Sequence, residues 1–335
     1  CIRDSFQPES GILDRAAAGA RTRRLGGVAA TPGIGIGHVV HIRFDYDCLS
    51  VADTETNDPA GEVARFREAV EATLVDLAEA RQKLARRTSD EIVEVFSVYE
   101  MVLRGDDFCG AVESRIQDGS AAPAALRAVV TDYVAKFEAL DDEYLRARKD
   151  DIQVLAHRIS SHLTPAKSIR RPMPDKLVLV GRLISIADIA EYPAGRLAGI
   201  ACGEGSIFSH TALLAKALAI PAVMGLEHYG DLDEGELAIL DGYQGVLMAS
   251  PSSAIRKEYE GLLRQEQILN EDLESLKNKP AVTPDGFRVH LMANTGLLAD
   301  ISPGLDHGAE GVGLYRSEIP FMIRDSFPTE DEQRD

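Results

Sequence analysis

Between residues 61 and 163 the hydrophobic pattern takes a helical period, and this limits the architectures open to the chain. Val63, Phe66, Val70, Leu77 and Leu84 fall at a/d spacing, as on the buried face of a helix. Ile92, Val95, Phe96, Tyr99 and Leu103 form a second stripe. Leu126, Val129, Val130, Tyr133, Phe137 and Leu140 form a third, and Leu145, Ile152, Leu155, Ile159 and Leu163 a fourth. Gly105 and Gly119 mark breaks between stripes. Four stripes joined by short loops predict a helical bundle or a pair of hairpins. Their apolar residues form its core and their charged faces are solvated.

On either side the pattern is of a different kind. Leu25 to His41 reads as a glycine-punctuated turn leading into a strand. Gly33, Gly35 and Gly37 do not make a dinucleotide fingerprint, because no strand–glycine loop–helix order follows. From Lys176 strands and helices alternate. Leu177–Val180 predicts a buried strand, Ile186 to Tyr192 a short helix, and Ala198–Cys202 and Pro221–Met224 two further strands. Leu237–Leu240 and Val246–Met248 predict a hairpin across the turn Asp241-Gly242-Tyr243-Gln244-Gly245. Together with Leu25–His41 these segments predict one β/α domain interrupted by the helical insertion.

Further along, Ile255, Tyr259, Leu262, Leu269, Leu273 and Leu276 line one edge of a charged helix, interrupted by Glu266. This predicts a long linker helix whose apolar edge packs on a neighbour. Arg288–Asn294 and Gly311–Tyr315 read as strands around a helix at Leu297 to Leu305, a βαβ unit ending in Arg316-Ser317-Glu318. Barrel enzymes place their chemistry at the C-terminal ends of parallel strands, where Asn294 and Arg316 stand. A surface ion pair of Arg316 with Glu318 is the competing account of that arginine.

A net charge of −18 argues against a general nucleic-acid binder and favours a partner with a basic face. No apolar run reaches membrane-spanning length. Cys1, Cys48, Cys109 and Cys202 form no Cys-x-x-Cys motif and no disulfide framework, which points to a reducing cytoplasm. His38 and His41, three apart on a strand, point to opposite faces and suggest no zinc site. The start Cys1-Ile2-Arg3-Asp4 is neither a methionine start nor a signal peptide. Residues 1–24 therefore read as a linker or the tail of a preceding domain in a longer chain.

The chemically suggestive stretch is Gly205-Ser206-Ile207-Phe208-Ser209-His210-Thr211, followed at once by a helix pattern from Ala212 to Leu218. It puts His210 on the first turn of a helix, where unpaired N–H groups and a partial positive charge attract phosphate. The same field disfavours imidazolium, and a neutral imidazole can attack a phosphoryl group. The local pattern equally fits an ordinary Ser209 N-cap before a half-buried polar residue.

The run Gly205 to Gly225 resembles the phosphohistidine segment of phosphoenolpyruvate-utilising enzymes. That family includes enzyme I of the sugar phosphotransferase system, pyruvate phosphate dikinase and phosphoenolpyruvate synthase. His210 falls on the phosphorylated histidine, with Gly205, Ser209 and Thr211 in its loop. Ser206 and Phe208 depart from the pattern, where a second glycine and a small or polar residue are common. Enzyme I also carries a threonine that helps hold the phosphohistidine, and Ile184 stands in its place. Either Ser185 substitutes for it or the phosphohistidine is held differently.

Leu25–His41, with Pro32-Gly33-Ile34 and Gly37, resembles the opening of enzyme I, and Gly311–Met322 with Phe327–Gln333 resembles the start of its phosphoenolpyruvate-binding barrel. The resemblance makes Arg316, with Asn294, a substrate-binding residue. Ile319-Pro320-Phe321-Met322 is similar to the nitrogen-related enzyme I, which typically carries an N-terminal sensory domain.

The implied fold is a swivelling β/α phosphohistidine domain (25–57 and 165–252) with an inserted all-α carrier-binding domain (58–164). A linker helix (253–279) and the start of a TIM-type (β/α)8 barrel (280–335) follow. The implied function is phosphoryl transfer from phosphoenolpyruvate, through His210, to a histidine of an HPr- or NPr-like carrier. Mg²⁺ and a proton-donating cysteine belong to later parts of the barrel, through which the full-length protein would form a homodimer. Two alternatives stay open. One is the phosphohistidine domain of a dikinase or synthase, against which the helical insertion argues. The other is a regulatory docking module that binds a carrier without phosphotransfer.

Overall fold

The computed structural model describes residues 22–42, 52–88, 90–164, 173–295, 304–305, 308–316 and 330. The chain divides between Leu262 and Leu263 into two compact units.

The first unit is built on an eight-stranded mixed sheet. Its strands are β1 (Arg23–Gly26), β2 (Val28–Thr31), β3 (Ile34–His41), β4 (Leu177–Gly181), β5 (Leu197–Cys202), β6 (Ala222–Met224), β7 (Leu237–Asp241) and β8 (Val246–Ala249). They lie in the order β1-β8-β7-β3-β4-β5-β6-β2. Leu25–His41, expected as one strand after a turn, forms three. Two of them leave for opposite edges, β1 beside β8 and β2 beside β6, both antiparallel. β3 stays central, antiparallel to β7 and parallel to β4. A parallel pair cannot be joined by a tight turn, and the whole helical insertion makes the crossover between β3 and β4.

Strand alternation gives the sheet two apolar faces. Leu177 and Leu179 of β4, Ile200 of β5 and Met224 of β6 join one core, whereas Val178, Val180, Ala201 and Val223 join the other with Leu240 and Leu247. Gly35 allows the close approach of β3 to β5, since a Cβ there would lie 1.9 Å from the carbonyl oxygen of Ala198.

The insertion contains α1 (Pro59–Leu84), α2 (Asp90–Arg104), α3 (Ala111–Gln117), α4 (Ala122–Glu138), α5 (Glu143–Arg146) and α6 (Arg148–Leu163). Pro59 takes the first turn of α1 and Asp58 caps it, its side chain accepting from the Gly61 N–H at 3.0 Å. The four stripes are helical. Three features lie outside the stripes' pattern: a π-helical turn at Asp106–Gly110, the helix α3 that follows it, and a break at Ala147 within the fourth stripe. Phe66, Leu84, Leu126, Leu155 and Ile159 are fully buried and belong to the same core as Leu177 and Leu179. The bundle and one face of the sheet therefore share a single apolar interior.

α7 (Ile186–Ala190) is shorter than expected, ending before Tyr192. α8 (His210–Ala217) follows β5. α9 (Ser253–Leu276) buries Ile255 and Tyr259, whose hydroxyl donates to Asp241 Oδ2 at 3.0 Å. In the second unit β9 (Ala293–Thr295) and β10 (Val312–Tyr315) pair in parallel. Most of the helix expected at 297–305 lies outside the described residues, as do residues 1–21 and 317–329. No helix among the described residues is long and apolar enough to cross a membrane.

Candidate active site

His210 opens α8, and Ser209 is its N-cap, the Oγ accepting from the Ala212 N–H at 3.3 Å. Gly205 begins the preceding loop at φ +106°, a conformation that favours glycine. The imidazole reaches Asp151 of α6, and the side chain is 16 % exposed. Thr211 turns inward and donates its hydroxyl to the carbonyl of Ile184, which ties α8 to the loop after β4. Ile184 thus contributes its backbone, while its side chain packs in the core.

Three side chains from the insertion surround the histidine. Asp151 Oδ1 lies 2.9 Å from His210 Nδ1. The Tyr99 hydroxyl donates to the same oxygen at 2.6 Å, and its ring meets the imidazole edge-on at 6.3 Å between centroids. Arg148 Nη1 is 3.3 Å from Asp151 Oδ2, 2.8 Å from His210 Nδ1 and in close contact with His210 Nε2. Its Nη2 donates to the carbonyl of Phe208 at 2.9 Å. A tautomer with the proton on Nδ1 satisfies Asp151 and leaves the Nε2 lone pair facing the guanidinium. Burial and Asp151 together push the Tyr99 phenol well up, so it remains a donor.

A small cavity continues beneath the ring, lined by Asp150, Ser185, Cys202, Glu204, Gly205 and Ser209 among others. The Ser185 hydroxyl is engaged elsewhere. It caps α7 in a capping box with Asp188 and lies 3.5 Å from Arg158 Nη2. Burial pushes the Cys202 thiol up to about 12, so it is inert as a nucleophile at neutral pH.

Asn294 and Arg316 stand in the second unit. Asn294 lies in β9, and Arg316 directly follows β10, its N–H donating to the Thr295 carbonyl at 2.7 Å. Both are exposed. Glu318 lies outside the described residues. Among the described residues no group of three or more His, Cys, Asp or Glu side chains converges on a cation position.

Tyr99, Arg148, Asp150 and Asp151 were not read as site residues. One signal was present: Arg148 and Asp151 flank the apolar stripe of Ile152, Leu155 and Ile159 on the same helical face, where charge has to find a partner.

Three profiles of one enzyme family match in order along the chain. They are "PEP-utilising enzyme, N-terminal" over residues 26–148, "PEP-utilising enzyme, mobile domain" over 173–245 and "PEP-utilising enzyme, PEP-binding domain" over 270–335. The chain is 31 % identical over 313 residues to the "Phosphoenolpyruvate-dependent phosphotransferase system" protein of Escherichia coli (strain K12), covering 93 % of this chain and 42 % of the relative. It is 32 % identical over 315 residues to the phosphoenolpyruvate-protein phosphotransferase of Listeria innocua, covering 93 % and 54 %. The chain thus spans about half the length of these relatives. A solution structure of enzyme I (nEIt) superposes with a TM-score of 0.56 at 27 % identity, covering 72 % of this chain and 99 % of that one. With family segments in order over most of its length, and an enzyme I fold around His210, the chain belongs to the phosphoenolpyruvate-utilising enzyme family.

Proposed function

We propose that this chain is the phosphohistidine and carrier-docking portion of an enzyme I of the nitrogen-related type, acting in the cytoplasm. His210 takes a phosphoryl group that originates on phosphoenolpyruvate and passes it to a histidine of a small HPr- or NPr-like carrier. The observation that carries this reading is the ring of His210. Its Nδ1 is held by Asp151, and its Nε2 faces the Arg148 guanidinium.

Asp151 fixes the tautomer and Nε2 supplies the lone pair. In exchange with the carrier, the N–P bond on the carrier's imidazole breaks and its electron pair returns to that ring. The Nε2 lone pair of His210 forms the new N–P bond. Arg148 shifts from Nε2 to the incoming phosphoryl oxygens and balances their charge. Each step is positioning plus charge neutralisation.

The carrier docks beside this ring. Ile207, Phe208 and Leu213 are exposed around His210, and Val98 and Met101 are exposed on α2, the helix that supplies Tyr99. An apolar rim on a chain of net charge −18 suits a partner with a basic, partly apolar face. Arg316 and Asn294 serve the donor side, Arg316 binding the phosphate of phosphoenolpyruvate. The name "mobile domain" over residues 173–245 supports a swivelling step that lets one histidine serve two partners.

The test is intact mass after incubation with a phosphorylated HPr-type carrier. Wild type gains one acid-labile phosphoryl group of about 80 Da and His210→Ala gains none. No gain in wild type, with carrier binding intact, would establish a docking module instead.

A further inference from the structure

The cavity beneath His210 holds a group that the relay leaves unused. Asp150 is 7 % exposed, and its Oδ2 has no hydrogen-bond partner. That oxygen faces the phosphohistidine loop, 3.7 Å from where a Cβ on Gly205 would stand. The cavity it shares with His210 measures about 20 Å³, room for about one water.

Charged neighbours act on Asp150 from each side. On α6, Lys149 and Arg148 favour its ionisation and Asp151 opposes it, and Glu204 opposes it from the loop after β5. His210 faces the same cavity from α8, and the neutral Tyr99, Ser185 and Cys202 close it from α2, the α7 cap and β5. Burial is the largest effect, and with the two acids it lifts the carboxyl from 3.8 to about 6.

We propose that Asp150 is a positioning residue for the phosphoryl group on His210, taking up a proton when that group arrives and then facing it as a carboxylic acid. The inference rests on the relay reading above. A carboxylate and a phosphoryl dianion repel strongly in a cavity this small and this far from bulk solvent. A proton from solvent removes that repulsion and turns the unpaired Oδ2 from an acceptor into a donor. The N–P bonds break and form as already described, and only this proton is added.

Linkage sets the sign. Phosphoryl transfer to His210 is favoured where Asp150 is already protonated. Above the titration of the free form, acceptance falls about tenfold per pH unit until the titration of the phosphorylated form is passed.

The test measures the exchange equilibrium with a phosphorylated HPr-type carrier between about pH 5.5 and about pH 8.5, for wild type and Asp150→Asn. The ratio of the two constants cancels the titrations of the carrier and of the phosphoryl group. This ratio of variant to wild type rises at least about tenfold from about pH 6 to about pH 8. A flat ratio, with wild type labelled, overturns the inference and leaves the relay standing. No label on wild type at any pH overturns the relay and this inference with it. A second measurement needs no variant: the ¹³Cγ titration of Asp150 moves to higher pH when His210 is phosphorylated. An unchanged titration overturns the proposal.

Discussion

His210 meets Asp151 at Nδ1 alone, whereas the Arg148 guanidinium reaches both nitrogens, so the acid can be tested on its own. Asp151→Asn keeps the shape of the side chain but can present an amide N–H to Nδ1, which favours the tautomer that puts the proton on Nε2. The rate of phosphoryl acceptance from the carrier falls about 10²-fold or more, with carrier affinity unchanged. The Tyr99 hydroxyl acts on the chemistry through Asp151, at 2.6 Å, and its ring packs edge-on against the imidazole, a contact that phenylalanine keeps. Tyr99→Phe therefore costs less, about tenfold at most, because a second contact to the carboxylate remains from Arg148. Rapid-quench labelling measures both. Equal losses in the two variants would show that Tyr99 does more than hold Asp151.

At the scale of elements, the short helices α7 and α8 bring Ile184, Ser185 and His210 together, and each depends on a serine cap. Ser185→Ala removes a capping box and a partner of Arg158. The expected loss is about 1–2 kcal/mol in urea unfolding, with phosphoryl acceptance unchanged per folded molecule. A selective loss of acceptance would show that Ser185 replaces the family threonine after all. The elements were largely legible in the sequence, because apolar residues at helical or alternating spacing fill buried faces here. The splitting of Leu25–His41 into β1, β2 and β3 was not, since edge pairing with β8 and β6 depends on partners some 200 residues away. The same holds at the site. Ser209 and His210 lie in one contiguous motif, whereas Arg148 and Asp151 reach His210 across 62 and 59 positions, a pairing no local period encodes.

For the whole first unit, the insertion and the sheet share one apolar core, and Asp150 sits where they close on each other. Its ionisation therefore acts on the stability of the unit as a whole. In the unfolded chain its carboxyl titrates near the ordinary value of 3.8, and in the fold near about 6. Below the lower value both states are protonated and the residue costs nothing. Between the two values the folded state binds more protons than the unfolded one, so stability falls as pH rises. Above the higher value the full penalty applies, at most about 3 kcal/mol for a displacement of this size. Asp150→Asn removes the titration and keeps the volume. Its unfolding free energy relative to wild type is thus expected to be level near about pH 4, to climb through about pH 5, and to stand above wild type at neutral pH. Urea titrations of both proteins across that range measure it, with no carrier present. A variant that loses the same stability as wild type on raising the pH would show that Asp150 is hydrated in the fold, and that the closed seam between α6 and the phosphohistidine loop admits water.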